Sequence, residues 1–472
     1  MSTPNTHIGA EKIREIMHAC RDKDIFFLGA GGIMMSSLAL LTKRAGYSTR
    51  GSDRARSALT EKLENADITM FYGHSEENLG ENTGAVVYTV AVSPDNPEYS
   101  AAMQRGIPTI SRADFLGYIM TEYKNRVGIA GMHGKSTCTS MCAEIFLSAR
   151  EGGYSDPTIV SGAEYESMNG AYYLGEKENF IFEACEYMDS FLDFNPTVAV
   201  LLNAEMEHVD YFKSIEQIRD SFKRYGALVG EGGTVIYNVD DENISMSASE
   251  INAKKISIGL EKHADFTATN IKNCQFPMEF DIIAYGESFA HVKLPARGMH
   301  NVYNALAATA AACVCGIGKD EIVKGLESFK GAKRRMEFKG RLGTAEVYDD
   351  YGHHPTEIGA TLEGVKTTCT GRVVCVFQPH TYSRTDALKD QFADAFICAD
   401  KVILTDIYAA REVNESGISS SKIAELVGEK AIYSGDLDST AEAIKATVQD
   451  GDTVIVMGAG DIFKIFAKLG LK

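Results

Sequence analysis

The stretch VGIAGMHGKSTCTS, residues 127–140, starts as an apolar strand, breaks at Gly131 and Gly134, and continues through Lys135 and Ser136 as a helix. A glycine turn at a helix start points backbone N–H groups at phosphate oxygens. The lysine reaches the terminal phosphates, and the serine hydroxyl can sit on Mg²⁺. The stretch therefore reads as a nucleoside triphosphate cradle. It is shorter than the usual form, because Ile129 occupies the place of the first glycine and Gly128 lies one residue further out.

Working outward, the same strand, glycine turn and helix sequence occurs in IFFLGAGGIMMSS near residue 29 and in TVIVMGAGDIFKIF near residue 458. Strands alternating with helices argue for parallel sheets, one per unit. The chain is thus expected to be an α/β protein of three domains. The polar TEYKNR segment and the glycine and basic residues at Gly331–Lys333 place the boundaries at 1–122, 123–330 and 331–472. The first and third domains read as Rossmann-like. The central one reads as a phosphate-loop ATPase type, with a more antiparallel region from Ala264 to Leu294. At 472 residues the chain is too long for one core, which agrees with this division.

A net charge of −18 argues against a nucleic-acid surface, which needs clustered Lys and Arg. The opening MSTPNTHIGAEKI lacks the basic start and apolar core of a secretory signal. No apolar run approaches the roughly 18 residues that span a bilayer, and the alanine-rich Ala305–Cys315 reads as a buried helix. A cytoplasmic protein without a membrane partner is expected. Its ten cysteines include no C-x-x-C pair and read as buried, reduced thiols.

Further segments carry chemistry. Gly29, Ala30, Gly31 and Gly32 with Asp53 resemble a dinucleotide turn, but Met34 stands where a small residue is required. A diphosphate suits that helix start better than a nicotinamide cofactor, and a Rossmann oxidoreductase is the weaker alternative. Glu183, Glu186 and Asp189 follow one apolar strand; Asn203, Glu207, His208 and Asp210 follow another. With Ser136, such oxygen ligands suit Mg²⁺. His300, Asn301 and Asn304 open an amphipathic helix and could read an adenine edge or a phosphate. In the third domain, DDYGHHPTEI brings Asp349, Asp350, Tyr351, His353 and His354, and FQPHTYSRT brings His380 and Arg384. An arginine there suits a carboxylate, since it can bind two oxygens at once.

Taken in order, GMHGKST, the acidic box ending in DSF, NAEMEHVD, MHNVYNALAA, AKRRMEF, DDYGHHPTEI, FQPHTYSRT and YAARE resemble the Mur ligase family over residues 25–462. The resemblance implies a UDP-substrate domain, a central ATPase domain and a third domain that brings the amino acid. Within the family it points to the branch that joins L-alanine to the lactyl carboxylate of UDP-N-acetylmuramate through an acyl phosphate, in peptidoglycan precursor synthesis. A recycling ligase that adds a ready-made tripeptide to the same UDP-sugar is the alternative.

The roles that follow are implied by the resemblance. ATP would contact Gly131, Met132, His133, Gly134, Lys135, Ser136, Thr137, His300, Asn301, Asn304, Arg335 and Asp350. Mg²⁺, or Mn²⁺ in its place, would be held by Ser136 and Glu186, with Glu183 a rival to Glu186, and a second such ion by His208. Gly29, Ala30, Gly31, Gly32, Ser36, Asp53 and His74 would face the UDP-sugar, and Tyr351, His353 and Arg384 the amino acid. Lys135, Glu186, His208, Arg335, Asp350 and His353 would carry catalysis, in a monomer or homodimer. Two departures stand out: Cys185 and Tyr187-Met188 where relatives are richer in Asp and Ser, and Thr381 where some have a second arginine. Lys223 is roughly placed for the carbamylated lysine of sister enzymes.

Overall fold

A computed structural model describes residues 6–208, 211–410 and 412–471, so Asp210 and Arg411 lie outside the described residues. The chain forms two compact units. One holds the described residues up to Glu164, then Met168–Ala264 and Ala307–Ile322; the other holds Tyr165–Ser167, Asp265–Leu306 and the chain from Val323 onward.

The first unit contains a five-stranded sheet made of β1 (Asp24–Leu28), β2 (Ser48–Asp53), β3 (Thr69–Tyr72), β4 (Thr83–Tyr88) and β5 (Thr109–Ser111). Its order is β3-β2-β1-β4-β5, parallel throughout. The order reverses between β1 and β4, and a sheet of this kind opens its ligand crevice there, at the carboxyl ends of the strands. Gly29, at φ 77°, turns the chain away from β1 into that crevice.

The same unit also contains β6 (Asn125–Ala130), β7 (Thr158–Tyr165), β8 (Gly170–Tyr173), β9 (Asn179–Glu183), β10 (Val198–Leu201), β11 (Thr234–Asn238) and β12 (Lys254–Ile258). Their order is β12-β11-β10-β6-β9-β7-β8, with parallel pairing from β12 to β7. Val127, Ile129 and Ala130 of β6 are fully buried, as expected of a central strand covered on both faces. Gly128 is required there by close approach, since a Cβ would come within 2.5 Å of Phe182 Cζ.

The two sheets of this unit meet at the helix Arg112–Met120. Asn195 Nδ2 donates to Gly117 O at 3.1 Å, and a Cβ on Gly117 would collide with the carbonyl oxygen of Asp193. On the other side of this seam His7 Nδ1 lies 2.5 Å from Asp193 Oδ1.

The second unit holds an antiparallel run of β13 (Phe266–Lys272), β14 (Met278–Ala284) and β15 (Glu287–Leu294). It also holds a sheet of β16 (Glu337–Leu342), β17 (Ala345–Asp350), β18 (Val373–Phe377), β19 (Lys401–Thr405), β20 (Ala431–Gly435) and β21 (Thr453–Met457). The order is β16-β17-β21-β18-β19-β20; β16 is antiparallel to β17 and the remaining pairs are parallel.

The alanine-rich segment lies in the helix His300–Val314, with Ala305–Ala308 fully buried. No described helix is long and apolar enough to cross a membrane. The last glycine turn differs from expectation: β21 is followed by a 3-10 turn, Ile462–Lys464, and a helix of only four residues, Ile465–Lys468. The Gln378 side chain takes the Ile462 N–H at 3.0 Å, so the turn is held by a neighbouring strand end rather than by a long helix. All ten cysteines are free thiols, but burial is uneven: Cys20, Cys138, Cys142 and Cys375 are buried, while Cys274 is exposed between β13 and β14. Because the oxygen facing Gly117 is main chain and cannot swing aside, Gly117→Ala is expected to cost about 1–3 kcal/mol. A thermal melt of variant against wild type reads this as a lower midpoint.

Candidate active site

The carboxyl ends of β9, β6 and β10 lie side by side, and the phosphate loop leaves the middle one. Gly134 starts the helix Lys135–Ala149 in the left-handed region, at φ 82°. Asn203, just beyond β10, clamps the loop from below. Its Oδ1 accepts the His133 N–H at 2.8 Å, its Nδ2 donates to His133 O at 3.0 Å, and its own carbonyl accepts the Met132 N–H at 3.1 Å. Glu205 pairs with the His133 imidazole. Thr137 lies in the first turn of the helix. Lys135 Nζ reaches back to the carbonyl oxygens of Gly131 and Met132 and across to Glu186 Oε1 at 3.0 Å.

Glu186 is 1% exposed and also receives His208 Nε2 at 3.2 Å. Burial pushes its carboxyl up, but the Lys135 ammonium and the His208 hydrogen bond outweigh that and hold it below the ordinary value. For Lys135 the same opposition resolves toward the charged form: burial lowers its pKa, Glu186 raises it more. Glu183 ends β9 and meets Ser136, its Oε2 accepting from Oγ at 3.2 Å while Oε1 accepts from Ser161 Oγ and the Gly162 N–H. The two glutamates thus divide the work, one at Ser136 and one at Lys135 and His208. A hydroxyl, two carboxylates and an imidazole fit a hard divalent cation.

The backbone around them is strained. Met188, Asp189 and His208 adopt φ of 54°, 55° and 51°, a region non-glycine residues enter at a cost. Asp189 faces away from Lys135, accepting from Tyr211 Oη at 3.0 Å, from Ser221 Oγ and from Arg224 at 3.4 Å.

At the first glycine turn, Asp53 Oδ2 accepts the Gly31 N–H at 2.7 Å, so this carboxylate closes the turn Gly29-Ala30-Gly31-Gly32 on itself. Ser36 is buried and donates to Ile33 O at 2.9 Å. His74 Nδ1 lies 2.6 Å from Glu98 Oε2, a fully buried carboxylate that also accepts from Asn78 Nδ2 at 2.7 Å.

In the second unit the residues gather at the carboxyl ends of β17 and β18. Asp350 is buried; its oxygens accept the N–H groups of Met336 at 3.0 Å and Gly352 at 2.8 Å. Burial raises its pKa, with Arg335 partly offsetting. Arg334 binds Asp349 Oδ2 at 3.2 Å and Gly458 O at 2.6 Å, and both Arg334 and Arg335 lie over the Tyr351 ring, at 5.0 and 5.3 Å. His353 donates its N–H to Glu357 Oε2 at 3.1 Å. His354 caps the helix Pro355–Lys366, so the adjacent histidines have separate tasks. Arg384 Nη1 is 3.4 Å from His380 Nδ1, and the His380 ring lies 6.0 Å from that of His353. His300, Asn301 and Asn304 form a chain at their helix start: Asn301 Nδ2 faces His300 Nε2 at 3.1 Å, and Asn304 Nδ2 donates to Asn301 Oδ1 at 3.1 Å.

Comparison with known proteins reads the same segments together. The Mur ligase middle domain matches residues 129–312, the "Mur ligase family, catalytic domain" residues 24–124, and the "Mur ligase, glutamate ligase domain" residues 334–460. A UDP-N-acetylmuramate--L-alanine ligase of Clostridium beijerinckii is 41% identical, over 94% of this chain and 96% of its own length. The chain belongs to the Mur ligase family. A ligase of the same description from Acetivibrio thermocellus is 43% identical over 94% of each chain. Among solved structures, the UDP-N-acetylmuramate-alanine ligase of Thermotoga maritima superposes with a TM-score of 0.77 at 26% identity, covering 95% of this chain and 98% of the other.

In this Mur ligase several supporting residues were invisible to motif reading. Asn203 was noted as one of a ligand-like group, but its hold on the phosphate loop follows only from β6 and β10 being neighbours. Glu205 and Arg334 lie inside NAEMEHVD and AKRRMEF, but nothing in those segments singles them out from their neighbours. Lys223 bonds Glu250 at 2.6 Å, which raises its pKa and keeps the amine protonated, the opposite of what carbamylation needs. His380 is pushed down to about 4, first by burial and then by His353 and Arg384. The unfolded chain then binds a proton near pH 6.5 that the folded one refuses until about 4. Stability from His380 is full above pH 6.5 and falls as the pH drops through that window. His380→Asn is expected to flatten the acid side of a plot of melting midpoint against pH, between about 6.5 and 4.

Proposed function

We propose that this chain uses ATP to join L-alanine to the lactyl carboxylate of UDP-N-acetylmuramate, a step of peptidoglycan precursor synthesis carried out in the cytoplasm. The observation that carries the reading is the identity of 41–43% over 94% of the chain with ligases of that description. As a Mur ligase it is an ATP-dependent ligase. The division into domains 1–122, 123–330 and 331–472 is part of the proposal.

Chemically, the carboxylate nucleophile and the phosphoryl group it attacks are both anionic, so their repulsion must be offset. In this reading Lys135 leaves its loop carbonyls for the β and γ phosphates, and the N–H groups of Gly131 to Thr137 orient the rest of the chain of phosphates. Ser136, Glu186 and His208 would hold Mg²⁺, with Glu183 keeping the serine hydroxyl in place. Bound there, the cation supplies Lewis-acid charge to the transferred phosphoryl oxygens. Transfer gives an acyl phosphate on the sugar and ADP; the alanine amine then attacks the acyl carbon and phosphate leaves. Arg384 is assigned to the amino-acid carboxylate, with Tyr351 and His353 beside it. His300, Asn301, Asn304, Arg335 and Asp350 are assigned to the nucleotide, and Gly29–Gly32, Ser36, Asp53 and His74 to the UDP-sugar; family resemblance supports both sets.

The test is ADP release from ATP and Mg²⁺ with UDP-N-acetylmuramate, comparing L-alanine with the stem tripeptide. Release that requires L-alanine and falls at least about a hundredfold in Lys135→Ala is expected. Release with the tripeptide alone would move the enzyme to recycling. In the same assay Glu186→Gln is expected to raise the Mg²⁺ needed for half-maximal rate by about tenfold or more, and Glu183→Gln, one contact removed, by less.

A further inference from the structure

Tyr408 opens the YAARE segment in the loop after β19, a segment to which no role has been assigned above. Its ring stacks on that of His380, with centroids 5.6 Å apart and planes 25° from parallel. Gly460 packs against the base of the side chain: a Cβ there would come within 2.6 Å of Tyr408 Cγ and 2.7 Å of its Cβ. The half-buried ring is thus held by an imidazole on its face and by close main chain at its base.

The backbone reinforces this position. Tyr408 N–H donates to Pro379 O at 2.9 Å and its carbonyl accepts the Thr381 N–H at 2.8 Å. Thr381, a β-branched residue at φ 66°, is the strained cap of the helix Tyr382–Ala395 that presents Arg384. Glu412, from the same loop as Tyr408, accepts from Ser383 N at 2.9 Å and Ser383 Oγ at 2.6 Å in the first turn of that helix. One loop therefore braces both His380 and Arg384, and strain of this kind persists only where the surroundings over-determine it.

We propose that Tyr408 sets the size limit for the side chain of the incoming amino acid. The inference rests on the alanine-ligase reading above. An amino acid whose carboxylate pairs with Arg384 lies against the row His353, His380 and Tyr408. In this reading the row ends in the Tyr408 ring, which stands as the wall beyond a small substituent. Rejection by a fixed wall is the means by which a site excludes larger relatives of its substrate, where contact with one methyl group alone discriminates weakly.

The experiment measures kcat/KM for glycine, L-alanine, L-serine and L-valine with wild type, Tyr408→Phe, Tyr408→Leu and Tyr408→Ala, and KM for ATP alongside. Tyr408→Ala is expected to raise the ratio of L-valine to L-alanine by about tenfold or more, the scale of one or two methylene groups. Tyr408→Leu should lie between, and it carries the test if the alanine variant does not fold. Tyr408→Phe should keep the wild-type ratio, since the ring and not the hydroxyl forms the wall, and KM for ATP should stay within about twofold. A uniform loss for all four amino acids, or an unchanged ratio in both Tyr408→Ala and Tyr408→Leu, would overturn the assignment. Wild type inactive with L-alanine would overturn the ligase reading as well, which separates the two failures.

Discussion

A lysine and a buried glutamate, paired at 3.0 Å, organise the carboxyl edge of the central parallel sheet. Glu186 is almost wholly buried, and a lone carboxylate there would give up its charge; Lys135 and His208 keep it ionised. The arrangement is a poor device for stability, because desolvating two charges roughly cancels their attraction. It is a good device for chemistry. In the proposed reaction, a cation already aimed at a buried anion would exchange part of that partnership for phosphate oxygens without reorganising the site.

Everything around the pair serves to hold it. The loop bearing Lys135 is gripped at both the N–H and the carbonyl of His133 by the side chain of Asn203, and the segments bearing Glu186 and His208 run through left-handed residues that only dense packing sustains. The parallel sheet makes this possible. Strands β9, β6 and β10 are adjacent, so three loops distant in sequence leave the sheet side by side at its carboxyl edge.

The second unit repeats the plan with different chemistry. The end of β17 and the loops after β17, β18 and β19 bring an aspartate, histidines, a tyrosine pair and Arg384 to one edge, and the segment before β16 adds Arg334 and Arg335. Strain recurs there, at Arg334, Met336 and Thr381. In that setting His380 remains neutral beside Arg384, leaving the guanidinium as the positive member of the pair.

Legible in the residues alone were the three glycine turns, the apolar strands that lead into them, and the residue types expected to handle phosphate and carboxylate. These are local: a turn needing φ above zero demands glycine, a buried parallel strand demands an unbroken apolar run, and both are written in consecutive residues. It also carried the motif order that a family resemblance needs. What only the tertiary structure decided is who serves whom. Glu183 at Ser136 and Glu186 at Lys135 are three residues apart and chemically identical, and only the turn after β9 separates their tasks. Asn203 as a clamp, Asp53 folded onto Gly31, His354 as a helix cap and Tyr408 behind His380 are likewise contacts between segments far apart in the chain or across a turn. Strand order sets them, and strand order is a property of packing that no stretch of residues states alone.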